Sequence, residues 1–142
     1  MRSGTPVMQI PDATELSSLL DRLIHTRRLL EHQLWAAARS LSLDRSSTAG
    51  RCFAGLVETG AMLDATLLLV AMSGRAVSSL VSTGSGWSCA IRSSAPAATA
   101  KNFTSRHADL PAAILASLIS SFLDDSRATR RLCPIERTVC IP

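Results

Sequence analysis

A histidine and an aspartate two residues apart form the pair of side chains best placed in this sequence to move a proton. His107 and Asp109 stand just before an apolar helical stretch. An imidazole oriented by a carboxylate is a common general-base arrangement. The same spacing suits a structural role, in which Asp109 caps the helix and His107 is a loop residue, and we favour that interpretation. We therefore predict no catalytic residue here.

A cysteine could act as a nucleophile if a base or a helix N-terminus favoured its thiolate. Cys52 has the best claim of the four cysteines, because it lies next to Arg51 near the predicted start of a helix. Its apolar neighbours favour a buried structural thiol instead, and Cys89 is expected to be buried for the same reason. All four thiols are expected to be reduced, since no secretory signal is recognisable.

The remaining polar residues lack the spacing of a metal or cofactor site. His25 and His32 are seven residues apart, which separates them by roughly 10 Å along a helix, too far to bind one ion together. Asp21 is better spaced from His25, but two ligands do not make a site. Residues 84–86, Gly-Ser-Gly, begin like a dinucleotide fingerprint without its third glycine or its following helix. We predict no metal and no cofactor.

Positive charge is concentrated at the C-terminal end. The formal net charge is +4, and residues 126–142 contribute +3 of it through four arginines and one glutamate. Such a segment could contact phosphates without reading base sequence. The candidate phosphate contacts are Arg127, Arg130, Arg131 and Arg137. No zinc-finger spacing or aromatic RNA-binding motif accompanies them, and we favour solvated charges as their explanation. An auxiliary nucleic-acid-binding protein is thus the alternative hypothesis for function.

Leucine spacing predicts one long helix from about Asp12 to Leu43. Apolar residues recur there at alternating four- and three-residue steps, interrupted only at Arg27, as in the seam of a coiled coil. The leucines of this seam are Leu16, Leu20, Leu23, Leu30, Leu34 and Leu41. A helix of this length is expected to pack against another long helix or another chain.

A second helix is predicted from about Arg51 to Met72, and a polar turn at 43–50 would set it antiparallel to the first. Residues 76–81 are expected to add one or two helical turns. Asp64 interrupts the apolar run of the second helix as Arg27 interrupts the seam of the first. Two alternatives follow: Asp64 faces solvent on an otherwise buried helix, or it forms an ion pair with Arg27 across this helical hairpin.

The rest of the chain predicts a small β-element around residues 86–104, because apolar and polar residues alternate from Trp87 to Ile91. An apolar stripe with Pro111 in its first turn predicts a C-terminal helix that ends near Asp125. The predicted fold class is mainly α, with α+β as the alternative.

The predicted domain organisation is a flexible N-terminus at 1–11, one mostly helical domain at 12–125 and a basic tail at 126–142. The hydrophobic fraction of 46% excludes a wholly disordered chain. The most apolar run, at 61–72, contains an aspartate and is short for a bilayer span. We expect no membrane insertion and a cytoplasmic protein.

These features favour a non-enzymatic protein-interaction module. The leucine seam is too long for the rest of the chain to cover, and exposed apolar stripes usually mark interfaces. We expect the seam to mediate self-association, as a homodimer or other homo-oligomer, or to bind a partner protein.

Overall fold

The structure is a computed structural model that describes residues 13–92 and 101–124. These residues form five helices and a three-stranded antiparallel sheet. The elements are α1 (Ala13–Ile24), α2 (Glu31–Ser40), α3 (Thr48–Glu58), α4 (Met62–Met72), β1 (Ala76–Thr83), β2 (Gly86–Arg92), β3 (Asn102–His107) and α5 (110–124). The predicted fold class, mainly α, is wrong: the fold is α+β, with the sheet in the middle of the chain and a helix after it.

The predicted long helix is two helices, because α1 ends at Ile24. Thr26 Oγ1 donates hydrogen bonds to the carbonyl oxygens of Arg22 and Leu23, at 2.9 and 3.0 Å, and so closes the last turn with a side chain. Arg27 consequently lies in a loop between α1 and α2 and does not interrupt a helical seam. The leucine spacing continues across this break, which is why periodicity alone predicted a single helix.

Helices α2, α3 and α4 end in the same motif, in which a residue of positive φ follows the C-cap. Those residues are Ser42, Gly60 and Gly74, with φ angles of 62°, 79° and 78°. In each case that residue's N–H and the following N–H bond back to carbonyls of the last helical turn. The predicted helix at 51–72 is therefore split at Gly60, since a left-handed residue redirects the chain.

The sheet has the order β1-β2-β3, with β2 in the centre. The predicted strand at 87–91 is confirmed within β2. Residues 76–81, which we expected to be helical, belong to strand β1. Their apolar side chains pair with β2: Val77 lies opposite Ile91 and Leu80 opposite Cys89. Pairing with a neighbouring strand therefore decides the conformation of this segment.

Helix α5 lies in the centre of the molecule. All eight residues from 112 to 119 are buried, so the helix is covered on every side. Its Ser117 hydroxyl donates to the carbonyl oxygen of Cys89 at 2.7 Å, which joins the helix to the central strand. The predicted C-terminal helix is thus confirmed, and it forms the centre around which the other elements pack.

Candidate functional site

His107 binds the end of α1 and the start of α5 together. Its Nε2 lies 2.9 Å from the carbonyl oxygen of Leu23, and its Nδ1 lies 2.9 Å from the backbone nitrogen of Asp109. Because that N–H donates to Nδ1, the ring proton resides on Nε2 and is donated to Leu23. Both ring nitrogens are engaged by the main chain, and this arrangement offers no nitrogen to a substrate.

Asp109 adds a second contact between the start of α5 and the loop that joins α1 to α2. Its Oδ2 accepts a hydrogen bond from the N–H of Leu29 at 2.8 Å, and its carbonyl oxygen accepts from the N–H of Ala113 at 3.0 Å. It therefore occupies the N-cap position of α5 while its side chain holds the loop between α1 and α2. We call the contacts of His107 and Asp109 with Leu23 and Leu29 the His107–Asp109 latch. The geometry supports a structural role for this pair, but the prediction that His107 is a loop residue is wrong, because His107 is the last residue of β3.

The two described cysteines differ in exposure. Cys89 is fully buried, as predicted, and burial raises the pKa of its thiol, with a smaller opposite effect from Ser117. Cys52 is exposed on α3, so the prediction that it is buried is wrong. The α3 face that packs into the core carries Phe53 and Val57, which turns Cys52 outward.

No three potential ligands converge on a metal-sized site within residues 13–92 and 101–124. The four-residue spacing of Asp21 and His25 does not bring the carboxylate to the ring. Its Nδ1 lies 2.7 Å from the backbone carbonyl of Asp21, so the ring binds the main chain of its own helix and not the carboxylate.

The predicted ion pair between Asp64 and Arg27 is wrong. Both side chains are exposed, and no salt bridge joins them. The prediction required two long helices side by side, but Arg27 lies in the α1–α2 loop and Asp64 lies in the first turn of α4. A carboxylate at that position suits the positive end of the helix dipole.

The leucine seam belongs to the core. Leu16, Leu23 and Leu34 are completely buried, and Leu20 and Leu41 are half-buried against the same core. Leu30, at the start of α2, is exposed. The buried leucines belong to one core cluster with residues of β2 and α5, so most of the seam is not the surface stripe that the sequence suggested.

A cleft of about 340 Å³ lies between α2 and the loop that follows it. Its lining consists of Trp35, Ala38, Arg39, Leu43 and Arg45. The Arg45 guanidinium stacks over the Trp35 ring at 4.4 Å, and Phe53 meets that ring edge to face, with centroids 5.0 Å apart. We call this region the Trp35–Arg45 cleft. Sequence reasoning missed it, although Trp35 and Arg39 have the four-residue spacing of one helix face.

A second unpredicted feature is a group of exposed apolar side chains on consecutive elements. Leu67 and Met72 of α4 are 38% and 42% exposed, and Leu80 and Val81 of β1 are 43% and 54% exposed. We call these four residues the α4–β1 surface. The available signal that residues 76–83 form a strand was the presence of Val77, Val81 and Thr83, whose residue types are enriched in strands.

The four candidate phosphate contacts, Arg127, Arg130, Arg131 and Arg137, lie outside the described residues, as do the predicted N-terminal segment at 1–11 and the tail at 126–142. Among the described helices, none has the length and apolar character needed to cross a membrane.

No protein-family model matches the chain, and neither a curated protein nor a solved structure is detectably similar to it. Function must therefore be inferred from the geometry of the molecule alone.

Proposed function

We propose that this protein is a non-enzymatic interaction module that self-associates by pairing β1 of one molecule with β1 of a second copy. The observation that carries this proposal is the outer edge of β1. In the described part of the sheet, β1 is paired on one side only, with β2. Its backbone therefore offers donors and acceptors to another strand.

The composition of β1 favours such pairing. Its eight residues include no charged residue and no proline, the two residue types that natural edge strands commonly use to prevent association. The register is irregular only between Val77 and Ser79, so residues 79–83 form a regular edge. Antiparallel pairing about a two-fold axis places the strand opposite its own copy, so a strand with charges of one sign would bring like charges close together. An uncharged strand avoids that repulsion.

The side chains supply apolar area on both faces of the edge. Leu80 shares a face with Cys89, which is buried, and Val81 shares the opposite face with Ser88 and Arg106. A second β1 strand would cover part of both Leu80 and Val81. Burial of their exposed area stabilises association at roughly 25 cal/mol per Å² of apolar surface.

Helix α4 extends this apolar area along the chain. It runs into β1 through the turn at 73–75, and it exposes Leu67 and Met72 although the helix is otherwise packed into the core. Because Leu80 and Val81 lie on opposite faces of the strand, this apolar area is divided between the two faces of the β1 edge and is not one contiguous patch.

A lysine in the edge strand tests the proposal. We expect the purified protein to have the mass of a dimer by light scattering at high micromolar concentration. Val81→Lys should convert it to a monomer with an unchanged circular dichroism spectrum, because Val81 is more than half exposed and its replacement costs little in the fold.

Thr104→Lys is the matched control. Thr104 is exposed in β3, on the same face of the sheet as Ala90 but at the opposite edge. This variant should remain dimeric. A monomeric parent protein, or equal dissociation by both lysine substitutions, would refute pairing through β1. Light scattering is measured on the peak eluted from a size-exclusion column. The ratio of nucleic-acid to protein absorbance in that peak shows whether nucleic acid copurifies, as expected if the basic tail binds it.

A further inference from the structure

We propose that the Trp35–Arg45 cleft binds an acidic peptide segment that carries an apolar side chain. This surface is built by α2 and the loop after it, whereas the α4–β1 surface is built by other elements. The inference therefore goes beyond self-association and stands independently of it.

The first step of the argument is how the chain forms the cleft. Trp35, Ala38 and Arg39 lie on one face of α2, at spacings of three and four residues. Ser42 then adopts a positive φ, and the N–H of Leu43 bonds back to the carbonyl of Ala38 at 3.0 Å. This reversal of the chain places Leu43 and Arg45 over the face of α2 that carries Trp35.

The apolar wall of the cleft consists of Ala38 and Leu43, beside the ring of Trp35. Hydrophobic contact between the residues at these two positions is a usual part of this type of helix end. The cavity volume of about 340 Å³ is at the small end of ligand sites and suits one apolar side chain with its flanking groups.

The charge of the cleft comes from Arg39 and Arg45. Neither arginine forms a salt bridge with a carboxylate of the described residues. The nearest acidic residue in sequence, Asp44, uses its Oδ1 to accept hydrogen bonds from the backbone N–H and the hydroxyl of Ser46, at 3.0 and 2.7 Å. Two guanidinium groups thus flank an apolar wall with their charge unmatched by the described chain.

The stacking of Arg45 on Trp35 selects the chemistry of the ligand. The Arg45 Cζ lies 4.4 Å from the centroid of the Trp35 ring, and a guanidinium held over a ring can still form paired hydrogen bonds with a carboxylate. Stacking also restricts the arginine before binding, which lowers the entropic cost of association. Because Arg45 covers one face of Trp35 and Phe53 packs against the ring, stacking of a nucleic-acid base on Trp35 is disfavoured.

Fluorescence anisotropy with defined probes tests this proposal on the full chain. The probe is a fluorescein-labelled peptide of alternating glutamate and leucine. Comparison peptides replace leucine with serine or glutamate with lysine, and a labelled oligothymidylate represents nucleic acid. We expect the glutamate–leucine peptide to bind, the glutamate–serine peptide to bind at least fivefold more weakly, and the lysine peptide not to bind.

Charge-removing variants locate the site. Arg39→Gln and Arg45→Gln should each weaken binding of the glutamate–leucine peptide by about tenfold, since each removes a charge-assisted hydrogen bond. Arg45→Lys should recover little of this affinity, because a lysine keeps the charge but lacks the planar fork. Arg51→Gln is the matched control, since Arg51 is exposed on the neighbouring helix and does not line the cleft. It should change affinity by less than twofold.

Three results would overturn the proposal. An equal loss of affinity with Arg51→Gln would show that the peptide is attracted by the overall positive charge and does not bind in the cleft. Equal affinity for the serine and leucine peptides would show that the apolar wall contributes nothing. Binding of oligothymidylate that is weakened by Arg39→Gln, without binding of the acidic peptide, would assign the cleft to nucleic acid. Val81→Lys should leave peptide binding unchanged. Light scattering therefore tests self-association, and anisotropy tests the cleft, independently of each other.

Discussion

The carboxylate of Asp109 accepts a hydrogen bond from the backbone N–H of Leu29 at 2.8 Å, although 80 positions separate the two residues in the chain. Leu29 is buried in the loop between α1 and α2, and Asp109 stands at the start of the central helix α5. This bond and the adjacent contact between His107 and Leu23 connect the N-terminal helices to the sheet and α5. His107 and Asp109, whose spacing resembles that of a catalytic pair, thus hold the N-terminal helices against the sheet and α5.

Removal of the Asp109 carboxylate should destabilise the protein. Asp109→Ala is expected to lower the free energy of unfolding by about 1.5–3 kcal/mol, because a hydrogen bond to a charged acceptor is lost in a partly buried site. Asp109→Asn keeps a neutral acceptor and should cost less. Urea denaturation followed by circular dichroism measures both, and Asp21→Ala on the exposed face of α1 is the control, with a change within about 0.5 kcal/mol. Equal stability of the three variants would contradict a structural latch.

Two glycines of α3 should respond oppositely to the same substitution. A Cβ at Gly50 would overlap the carbonyl oxygen of Asp44, which is main chain and cannot easily move away. Gly50→Ala is therefore expected to destabilise the protein by about 1–3 kcal/mol. Gly55 has nothing within 4 Å of its added Cβ, so Gly55→Ala should stabilise by about 0.5–1 kcal/mol through helix propensity.

Thermal unfolding of the two alanine variants makes this comparison direct, because both changes occur in one helix. If Gly50→Ala were as stable as Gly55→Ala, the close approach of the α2–α3 loop to α3 would be incorrect. Ser47, whose hydroxyl accepts from the N–H of Gly50 at 2.9 Å, caps the same turn.

Ionisation of Asp44 should be linked to the turn before α3. Hydrogen bonds from the side chain and backbone of Ser46 lower the pKa of Asp44 below its ordinary value. Because the folded pKa lies below the unfolded one, this contribution to stability is present above about pH 4 and is lost as the pH falls through the folded pKa. Carboxyl titration by NMR should show the lowered pKa and its rise in Ser46→Ala. Thr48→Ala, at the exposed first position of α3, should leave the pKa of Asp44 unchanged.

The two described thiols should differ sharply in reactivity. Cys52 is exposed, whereas Cys89 is fully buried and its pKa is raised by that burial. Alkylation under native conditions, followed by peptide mass mapping, should modify Cys52 within the time in which Cys89 stays intact. Both should react once the chain is unfolded in urea. Comparable native rates at the two residues would show that β2 is not the buried central strand of the sheet.

Local patterns in the sequence determined several elements correctly. The strand around Trp87, the stripe of α5 with Pro111 near its start, and the polar turn before α3 each depend on residues that are neighbours in the chain. A buried Cys89 was predictable for the same reason. Such features need no knowledge of distant contacts, because the side-chain period and the cap chemistry act within a single element.

Only the tertiary structure decided what the apolar residues contact. The leucine spacing was compatible with one helix, but Thr26 and the distant residues His107 and Asp109 hold a loop at its middle. Residues 76–83 became a strand because β2 lies beside them, and the Trp35–Arg45 cleft exists because Ser42 reverses the chain without the glycine that usually marks such a turn. Hydrogen bonds and packing between distant residues override weak local preference, and their partners cannot be identified from spacing along one chain.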